Sequence, residues 1–255
     1  RDFCLSRGLG DVYKRQKDVE FAHGLKLDIY VPDACVSTFI YFHGGGLESG
    51  DKSDAAVFAD VLAEKGIAVV SANYRMYPDA AYPDFIEDAA AAVAWVYYNA
   101  DLYGLSKKIF AGGSSAGGYL SMMLCFAPEF LKQKDVKTDD IAGYVFDAGQ
   151  PTVHFNVLRE RGLDCRRIIV DEAAPLYYVG TADNYPPMLI IVSDDDIACR
   201  YQQTEVLIAS LENFGYKNYE LQVSHGKHCD YVLKTDGEGK GVFGSMIAPF
   251  ILSKS

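Results

Sequence analysis

Residues Lys108–Phe126 read KIFAGGSSAGGYLSMMLCF, and they carry much of the information about the fold. The short apolar run Lys108–Gly112 predicts a strand, whereas Gly118–Phe126 has the composition of a helix. Between them, Gly113–Gly117 matches the pattern G-x-S-x-G, with Ser115 at its centre. A tight strand-to-helix turn of this kind exposes the serine hydroxyl at the end of a strand. We therefore predict Ser115 to be a nucleophile.

Two physical features agree with this interpretation of the turn. Gly113 and Gly117 lack the side chains that would collide with neighbouring elements where the chain turns sharply. The start of the following helix favours negative charge, which develops when a hydroxyl attacks a carbonyl group. Ser114 falls on a variable position of the pattern, and we predict a structural role for it.

Strands and helices alternate along most of the chain on both sides of this turn. A hairpin is predicted to open the sheet, with Val19–His23 and Leu25–Val31 as its strands. Further strands are predicted at Ser37–His43, Ile67–Asn73, Ile141–Ala148, Met188–Ser193 and Tyr219–His225. Helices are predicted at Ser53–Lys65, Asp88–Ala100, Thr204–Phe214 and Val242–Leu252. This order predicts the α/β class, a mostly parallel sheet of about eight strands with helices on both faces.

Composition limits the kind of protein and its partners. The 255 residues fit a single domain. No apolar run approaches the roughly 20 residues that span a bilayer, so no membrane partner is expected. The formal net charge of −11 would repel phosphate backbones, which argues against a nucleic-acid partner. The six cysteines have no paired spacing, which favours free thiols and a cytoplasmic location.

Two segments depart from the regular alternation. Residues 1–16, RDFCLSRGLGDVYKRQ, resemble adapter read-through at the ends of metagenomic gene models. We expect them to be a non-native extension before a domain at 17–255, a genuine short arm being the alternative. The long connection at 150–187 is rich in tyrosine and charge, and we expect it to form a small cap over the sheet edge that carries Ser115. The alternative is an extra packing layer without ligand contact.

A second glycine-rich turn, His43-Gly44-Gly45-Gly46, follows an upstream strand. Backbone N–H groups can converge on a developing oxyanion where no side chain blocks the approach, and glycine provides that space. The turn is predicted to lie at the same sheet edge as Ser115, so we expect it to assist the same reaction.

A serine hydroxyl needs a general base, and the chain has five histidines. The base is expected on the loop after the last strand, which leaves His225 and His228. We prefer His228, because His225 is still at the strand end. His23 falls in the first hairpin and His154 in the expected cap, while His43 is expected to support the glycine turn.

The acid that orients the base should come between the serine and the histidine in chain order. Asp194, Asp195 and Asp196 directly follow the strand Met188–Ser193. Three adjacent carboxylates cannot all be buried without repulsion. We prefer Asp196 and keep Asp194 as the alternative. No HExxH or Walker pattern occurs and no GxGxxG follows a strand, so neither a metal nor another cofactor is expected.

Together these features resemble the hormone-sensitive-lipase-like branch of the α/β-hydrolase fold. The resemblance covers roughly residues 19–255. It rests on the segments Phe42–Gly46, Ala72–Val96, Gly112–Gly118, Leu189–Asp196 and Gly226–Tyr231. Lipases and esterases of this fold share the serine turn, the glycine turn and the order Ser, Asp, His along the chain.

Several site residues follow from the resemblance alone. It implies that the backbone N–H groups of Gly45, Gly46 and Ala116 form the oxyanion hole. The acid is the last residue of a G-x-x-D turn in the family, which favours Asp196, although Ser193 replaces the glycine here. Further residues match a family segment that buttresses the site, namely Asn73, Tyr74, Arg75 and Asp88.

The resemblance implies a serine carboxylic-ester hydrolase that acts through an acyl-enzyme on small acyl esters. Family members usually carry an N-terminal helical cap, and none is present in this sequence. Either the chain is a compact member capped by Gln150–Pro187 or truncation removed the cap, which leaves the chain-length preference open. The chain is also similar to bacterial acetyl and feruloyl esterases of plant polysaccharides, and a tyrosine-rich insertion would suit such substrates. The alternatives are an amide-type hydrolase, such as an arylformamidase or a peptidase, and a non-catalytic binding protein of the same fold. The sequence does not specify an oligomeric state.

Overall fold

The computed structural model describes residues 12–255, whose strands form one eight-stranded sheet. The strands are β1 Tyr13–Ala22, β2 Leu25–Pro32, β3 Ser37–Phe42, β4 Ile67–Ala72, β5 Ile109–Ser114, β6 Ile141–Asp147, β7 Met188–Asp195 and β8 Tyr219–Lys227. Their order across the sheet is β1-β2-β4-β3-β5-β6-β7-β8. The β1–β2 and β2–β4 pairs are antiparallel and the other pairs are parallel, so the predicted fold class is confirmed.

The parallel pairing decides where the functional loops meet. In a parallel sheet, the carboxyl ends of neighbouring strands lie at the same edge. The glycine turn after β3, the serine turn after β5 and the loops after β7 and β8 therefore come together, although they are far apart in the sequence.

Helices cover both faces of the sheet in the part of the chain from residue 12 onward. The α-helices are α1 Ala59–Ala63, α2 Asp84–Tyr103, α3 Ala116–Phe126, α4 Glu129–Lys132, α5 Phe155–Glu160, α6 Pro175–Tyr178, α7 Arg200–Asn213 and α8 Val242–Ser253. Two short 3-10 helices lie at Lys52–Val57 and Thr138–Asp140.

Four helices start at different residues from those that the sequence predicts, and α2 and α3 begin a few residues early, at Asp84 and Ala116. The helix expected over Ser53–Lys65 is divided into a 3-10 helix and α1. The 3-10 helix is capped by Asp51, whose carboxylate accepts the Ser53 N–H at 2.9 Å. Helix α7 begins at Arg200 rather than Thr204, and Arg200 is drawn into the interior, where it is 4% exposed.

The sheet is buried on both faces, and β3 shows why its sequence is apolar throughout. Ile40 and Phe42 pack with residues of α2 and α3, whereas Phe39 and Tyr41 pack with residues of α1 and α8. Successive side chains of a strand point to opposite faces. A strand covered by helices on both sides therefore needs apolar residues at every position.

The first strand begins earlier than the sequence predicts. Residues 1–11 of the expected extension lie outside the described residues. Tyr13–Gln16 belong to β1 and pair with Ile29–Pro32 of β2. Backbone hydrogen bonds explain the early start of β1. The unpaired edge of β2 can bind a neighbouring segment through its N–H and C=O groups, whatever side chains that segment carries. The non-native origin of this segment stays a prediction.

The insertion at 150–187 contains α5, α6 and irregular connections. It contacts the glycine turn near its start, where Asn156 Nδ2 donates to the carbonyl oxygen of Gly46 at 2.9 Å. The insertion therefore reaches the functional edge of the sheet, although its role as a cap stays a prediction.

Two further features bear on the environment of the chain. The five described cysteines, Cys35, Cys125, Cys165, Cys199 and Cys229, are all free thiols, while Cys4 lies outside the described residues. In the chain from residue 12 to residue 255, every helix is too short or too polar to span a bilayer.

Phe85→Ala is expected to lower the free energy of unfolding by about 3–5 kcal/mol, because removing a fully buried ring from α2 leaves a cavity. Leu102→Ala in the same helix is the control. Leu102 is 61% exposed, and its truncation should change stability by less than about 0.5 kcal/mol. Urea denaturation measures both variants, and equal losses would contradict the assignment of the buried face of α2.

Candidate active site

Ser115 lies in the turn between β5 and α3, at the carboxyl edge of the sheet. Its backbone angles, φ 54° and ψ −110°, are ones that residues with a side chain rarely adopt. The Ser115 N–H donates to the carbonyl oxygen of Asp147 at 2.7 Å, which ties the turn to β6. Such strain is typical of functional turns, and here it places the hydroxyl at the mouth of a pocket.

The close approach of α3 to β3 explains the glycines on either side of Ser115. A Cβ atom on Gly117 would lie 1.9 Å from the carbonyl oxygen of Phe42, and one on Gly113 would lie 2.4 Å from the same atom. Any larger residue at either position would push α3 away from the end of β3. The structure therefore supports the steric role that the sequence assigns to these glycines.

His228 lies at the end of β8, and its ring bridges Ser115 and Asp196. Its Nε2 is 2.8 Å from Ser115 Oγ, and its Nδ1 is 2.5 Å from Asp196 Oδ1. An ionised carboxylate can only accept hydrogen bonds, so Nδ1 carries the proton and donates to Asp196. Nε2 is then free to accept the proton of the Ser115 hydroxyl.

Burial and hydrogen bonding act on Asp196 in opposite directions. Burial raises the pKa of its carboxyl group, whereas the hydrogen bond and charge of His228 and the N–H groups of Ile197 and Ser193 lower it. The resulting pKa lies below the ordinary value of an aspartate. Asp196 is therefore ionised at neutral pH and can stabilise a positive charge on His228.

The two residues that the sequence leaves as alternatives form a second pair on the surface. Asp194 Oδ2 is 2.6 Å from His225 Nδ1, and Asp194 also accepts the Gly226 N–H at 3.0 Å. The side chain of His225 is 94% exposed, and neither residue lines the pocket at Ser115. The structure thus brings Ser115, His228 and Asp196 together and leaves Asp194 and His225 outside.

The three groups that the resemblance implies for the oxyanion hole lie around Ser115. Gly45 and Gly46 line the pocket, and a Cβ atom on Gly44 would lie 3.5 Å from the Cβ of Ser115. Ala116 is the first residue of α3, so its N–H has no carbonyl group one turn earlier in the helix. The role of Gly45, Gly46 and Ala116 as oxyanion donors stays a prediction.

His43 supports the glycine turn from within the fold. Its buried ring stacks on Tyr74 with 4.5 Å between the ring centroids, and its Nδ1 donates to the carbonyl oxygen of Gly44 at 2.8 Å. The Tyr74 hydroxyl donates to the carbonyl oxygen of His43 at 2.9 Å. Burial lowers the pKa of His43, so the ring remains neutral.

The segment after β4 joins the glycine turn to α2. Asn73 Nδ2 donates to Asp51 Oδ2 at 2.9 Å, and Asn73 Oδ1 accepts the Lys52 N–H at 2.7 Å. Arg75 donates to both carboxylate oxygens of the buried Asp88, each at 2.8 Å. These bonds fix the chain on either side of the site, as the resemblance implies.

Other side chains with acid, base or nucleophilic chemistry are placed differently. His23 is exposed in the first hairpin, and His154 is buried at the start of α5, where its Nδ1 accepts the Asn156 N–H at 3.2 Å. Cys229 Sγ is 3.9 Å from His228 Nε2, but burial raises the pKa of this thiol well above its ordinary value. Cys229 is therefore a protonated, weakly reactive residue. Within residues 12–255, no three His, Cys, Asp or Glu side chains gather as metal ligands.

A pocket of about 410 Å³ opens at Ser115. Its walls are largely apolar and include Tyr41, Phe155, Ile197, Val232 and Leu233. Asp54 also lines the pocket, and burial raises the pKa of its carboxyl group. The tyrosines of the insertion do not line it, so they give no support to a carbohydrate or aromatic substrate; they are Tyr177, Tyr178 and Tyr185.

The sequence pattern does not single out two buried ionisable side chains at this sheet edge. Asp147 ends β6 and accepts a hydrogen bond from the Tyr231 hydroxyl. Arg200 donates to the carbonyl oxygen of Ala148 and, at 3.2 Å, to Gln150 Oε1. Burial lowers the pKa of Arg200 to about 10, so it stays charged at neutral pH. Asp147 could have been found as the single charged residue at the carboxyl end of an otherwise apolar strand.

Comparison with known proteins points to the same kind of site. Residues 27–142 match the model of BD-FAE, an esterase family of the α/β-hydrolase fold. Over 95 residues, the chain is 37% identical to an AB hydrolase superfamily protein of Schizosaccharomyces pombe, which covers 36% of this chain and 28% of that protein. Over 88 residues, it is 40% identical to the carboxylesterase NlhH of Mycobacterium tuberculosis, which covers 33% of this chain and 27% of that protein. The matches thus span little more than a quarter of each of these relatives.

Solved esterases of low sequence identity share the fold over nearly the whole chain. A truncated form of a carbohydrate esterase from gut microbiota has a TM-score of 0.78 at 21% identity, covering 96% of this chain and 98% of that chain. Esterase B from Lactobacillus rhamnosis has a TM-score of 0.77 at 19% identity, covering 98% of this chain and 88% of that chain. These similarities establish the α/β-hydrolase fold.

Asp196→Asn is expected to slow the reaction of Ser115 with a fluorophosphonate probe by about 10³–10⁴-fold, because an amide favours the wrong tautomer of the histidine. Asp194→Asn is the control, since it makes the same chemical change in an exposed pair and should alter the rate by less than about twofold. In-gel fluorescence against time measures both rates. A larger loss in Asp194→Asn than in Asp196→Asn would show that the acid is misassigned.

Proposed function

We propose that this chain, an α/β-hydrolase by its fold, cleaves carboxylic esters through an acyl-enzyme on Ser115. One observation carries the proposal. Ser115 Oγ lies 2.8 Å from His228 Nε2, and His228 Nδ1 lies 2.5 Å from Asp196. A nucleophile, its base and an orienting acid at such distances are what acyl transfer requires. The carboxylesterases among the relatives support an ester as the substrate.

The first half of the reaction forms the acyl-enzyme. His228 Nε2 takes the proton of the Ser115 hydroxyl while the oxygen attacks the ester carbonyl, and Asp196 stabilises the imidazolium that results. The backbone N–H groups of Gly45, Gly46 and Ala116 stabilise the oxyanion of the tetrahedral intermediate. His228 then donates the proton to the departing alcohol, which leaves the acyl group on the serine.

The second half releases the acid by the same groups in reverse roles. His228 takes a proton from water as the water oxygen attacks the acyl carbonyl. The same N–H groups hold the oxyanion again. Collapse of this intermediate returns the proton from His228 to Ser115 and frees the carboxylic acid.

The pocket supports small acyl groups as substrates. The acyl and alcohol parts of a substrate would share the pocket of about 410 Å³, whose walls are largely apolar. The Asp54 carboxylate on one wall disfavours substrates with anionic groups. We infer acetyl esters as the preferred class, with feruloyl esters of plant polysaccharides as the larger candidates. The likeness to a carbohydrate esterase supports a saccharide as the alcohol part.

Ser115→Ala is expected to lower kcat/KM for p-nitrophenyl acetate by about 10⁴-fold or more, because the nucleophile is lost. Ser245→Ala in α8 is a control outside this pocket and should keep the wild-type rate. Release of p-nitrophenolate measures both, and thermal unfolding confirms that each variant is folded. Most of the activity surviving in Ser115→Ala would rule out the assignment.

Among p-nitrophenyl esters, kcat/KM is expected to fall by about tenfold from the butyryl to the octanoyl ester, because the acyl and alcohol parts compete for one pocket. Acetylated xylan and methyl ferulate test the two finer substrate classes, and a matched aryl formamide tests amide hydrolysis. A flat profile up to the octanoyl ester would exclude a preference for small acyl groups. Faster cleavage of the formamide than of the ester would favour an amidase.

A further inference from the structure

The proposed reaction leaves unused a buried carboxyl group directly behind the nucleophile. Asp147 is the last residue of β6, and its exposed fraction is 0%. It pairs in register with Ser114 of β5, the residue before Ser115. A carboxylate without partners is unfavourable in the interior, so a buried one requires donors around it.

Asp147 is bonded to both segments that carry the reacting groups. Its backbone carbonyl oxygen accepts the Ser115 N–H at 2.7 Å. Its carboxylate accepts a hydrogen bond from the hydroxyl of Tyr231, which shares the turn after β8 with His228. One residue thus holds the turn of the nucleophile and the turn of the base in a fixed relation.

The groups around the Asp147 carboxyl come from β3, from β5 and from the chain that follows β7 and β8. Ser114 Oγ from β5 lies near it and accepts the Tyr41 hydroxyl of β3 at 3.3 Å. The titratable groups that interact electrostatically with the Asp147 carboxyl are Tyr41, Asp196, His228, Cys229 and Tyr231. Most of these groups are neutral at neutral pH. Asp196 repels its charge, and a protonated His228 attracts it.

We propose that Asp147 is a positioning residue for the Ser115–His228 pair, holding the Tyr231 turn and stabilising the protonated form of His228. The inference rests on the proposed function of Ser115. Ionised, the carboxylate can accept hydrogen bonds from both Tyr231 and Ser114. Protonated, it gains an O–H that needs an acceptor and loses its attraction for the imidazolium.

The ionisation of Asp147 falls in a range where it can be observed. Burial raises the pKa of Asp147 to about 6, although the hydrogen bonds of Ser114 and Tyr231 and the charge of His228 lower it. The ionised form is the more active one, so full activity is present above this pKa and falls as the pH falls through it. Protonation of Asp147 should therefore add a step of about tenfold in kcat/KM to the acid limb, near pH 6.

Asp147→Asn preserves the shape of the side chain and an acceptor for Tyr231 but removes the charge. We expect its acid limb to lack the Asp147 step, with kcat/KM about tenfold lower at high pH. Tyr231→Phe removes a hydrogen bond that lowers the pKa of Asp147. Its acid limb should keep the step and move it to higher pH. Tyr177→Phe, at a residue 55% exposed, is the control and should show the wild-type profile.

The profiles are measured twice, as p-nitrophenyl acetate hydrolysis and as the rate of fluorophosphonate labelling of Ser115. A purely structural role would lower the rates without changing the shape of the acid limb, so an Asp147→Asn limb identical to the wild type overturns the inference. If Asp147→Asn does not fold, an unshifted limb in Tyr231→Phe overturns it instead. If the chain cleaves no ester but is still labelled, the proposed function fails, and the labelling profiles still decide the role of Asp147.

Discussion

The contact between the start of α3 and the end of β3 is the constraint on which the rest of the site depends. A Cβ atom on Gly117 would lie 1.9 Å from the carbonyl oxygen of Phe42, so only glycine allows the helix to come this close. The chain must then turn sharply, and Ser115 takes a backbone conformation with φ 54°. Because β3 continues into the glycine turn, the same contact brings Gly44 beside the serine. The glycine turn and the start of α3 thus lie on two sides of the serine hydroxyl.

Three aspartates at one sheet edge show how surroundings, rather than residue type, set the behaviour of a carboxyl group. Asp194 is partly exposed and pairs with an exposed histidine, an arrangement that contributes little in water. Asp196 is shielded, but a histidine and two backbone N–H groups keep it ionised. Asp147 is fully buried with fewer donors, so burial dominates and its pKa rises. The balance between desolvation and donors therefore separates an orienting acid from a group that titrates near neutral pH.

The sequence predicts the strands well where burial on both faces makes them apolar, as in β3 and β4, which differ from the predicted ranges by one residue. It is less successful where an element depends on a distant partner. Helix α7 starts early because Arg200 bonds to the loop after β6, and β1 starts early because β2 offers it a backbone to pair with. The insertion's tyrosines illustrate the same limit, since composition alone does not say which side chains reach the pocket.

By itself, the sequence determined the nucleophile, the glycine turn and a choice of two acids and two bases. These follow from local chemistry, since a tight turn needs its glycines and the order of strands places the loops. Only the tertiary structure decided which acid meets which base. β7 and β8 pair with a register irregularity between Ser193 and Asp195. Asp194 lies within it and meets His225, whereas Asp196 lies beyond it and meets His228. The tertiary structure also placed Asp147 beside the serine turn, where its carbonyl oxygen accepts the Ser115 N–H. Such pairings depend on the relative position of two strand ends, and a local sequence pattern does not specify that position.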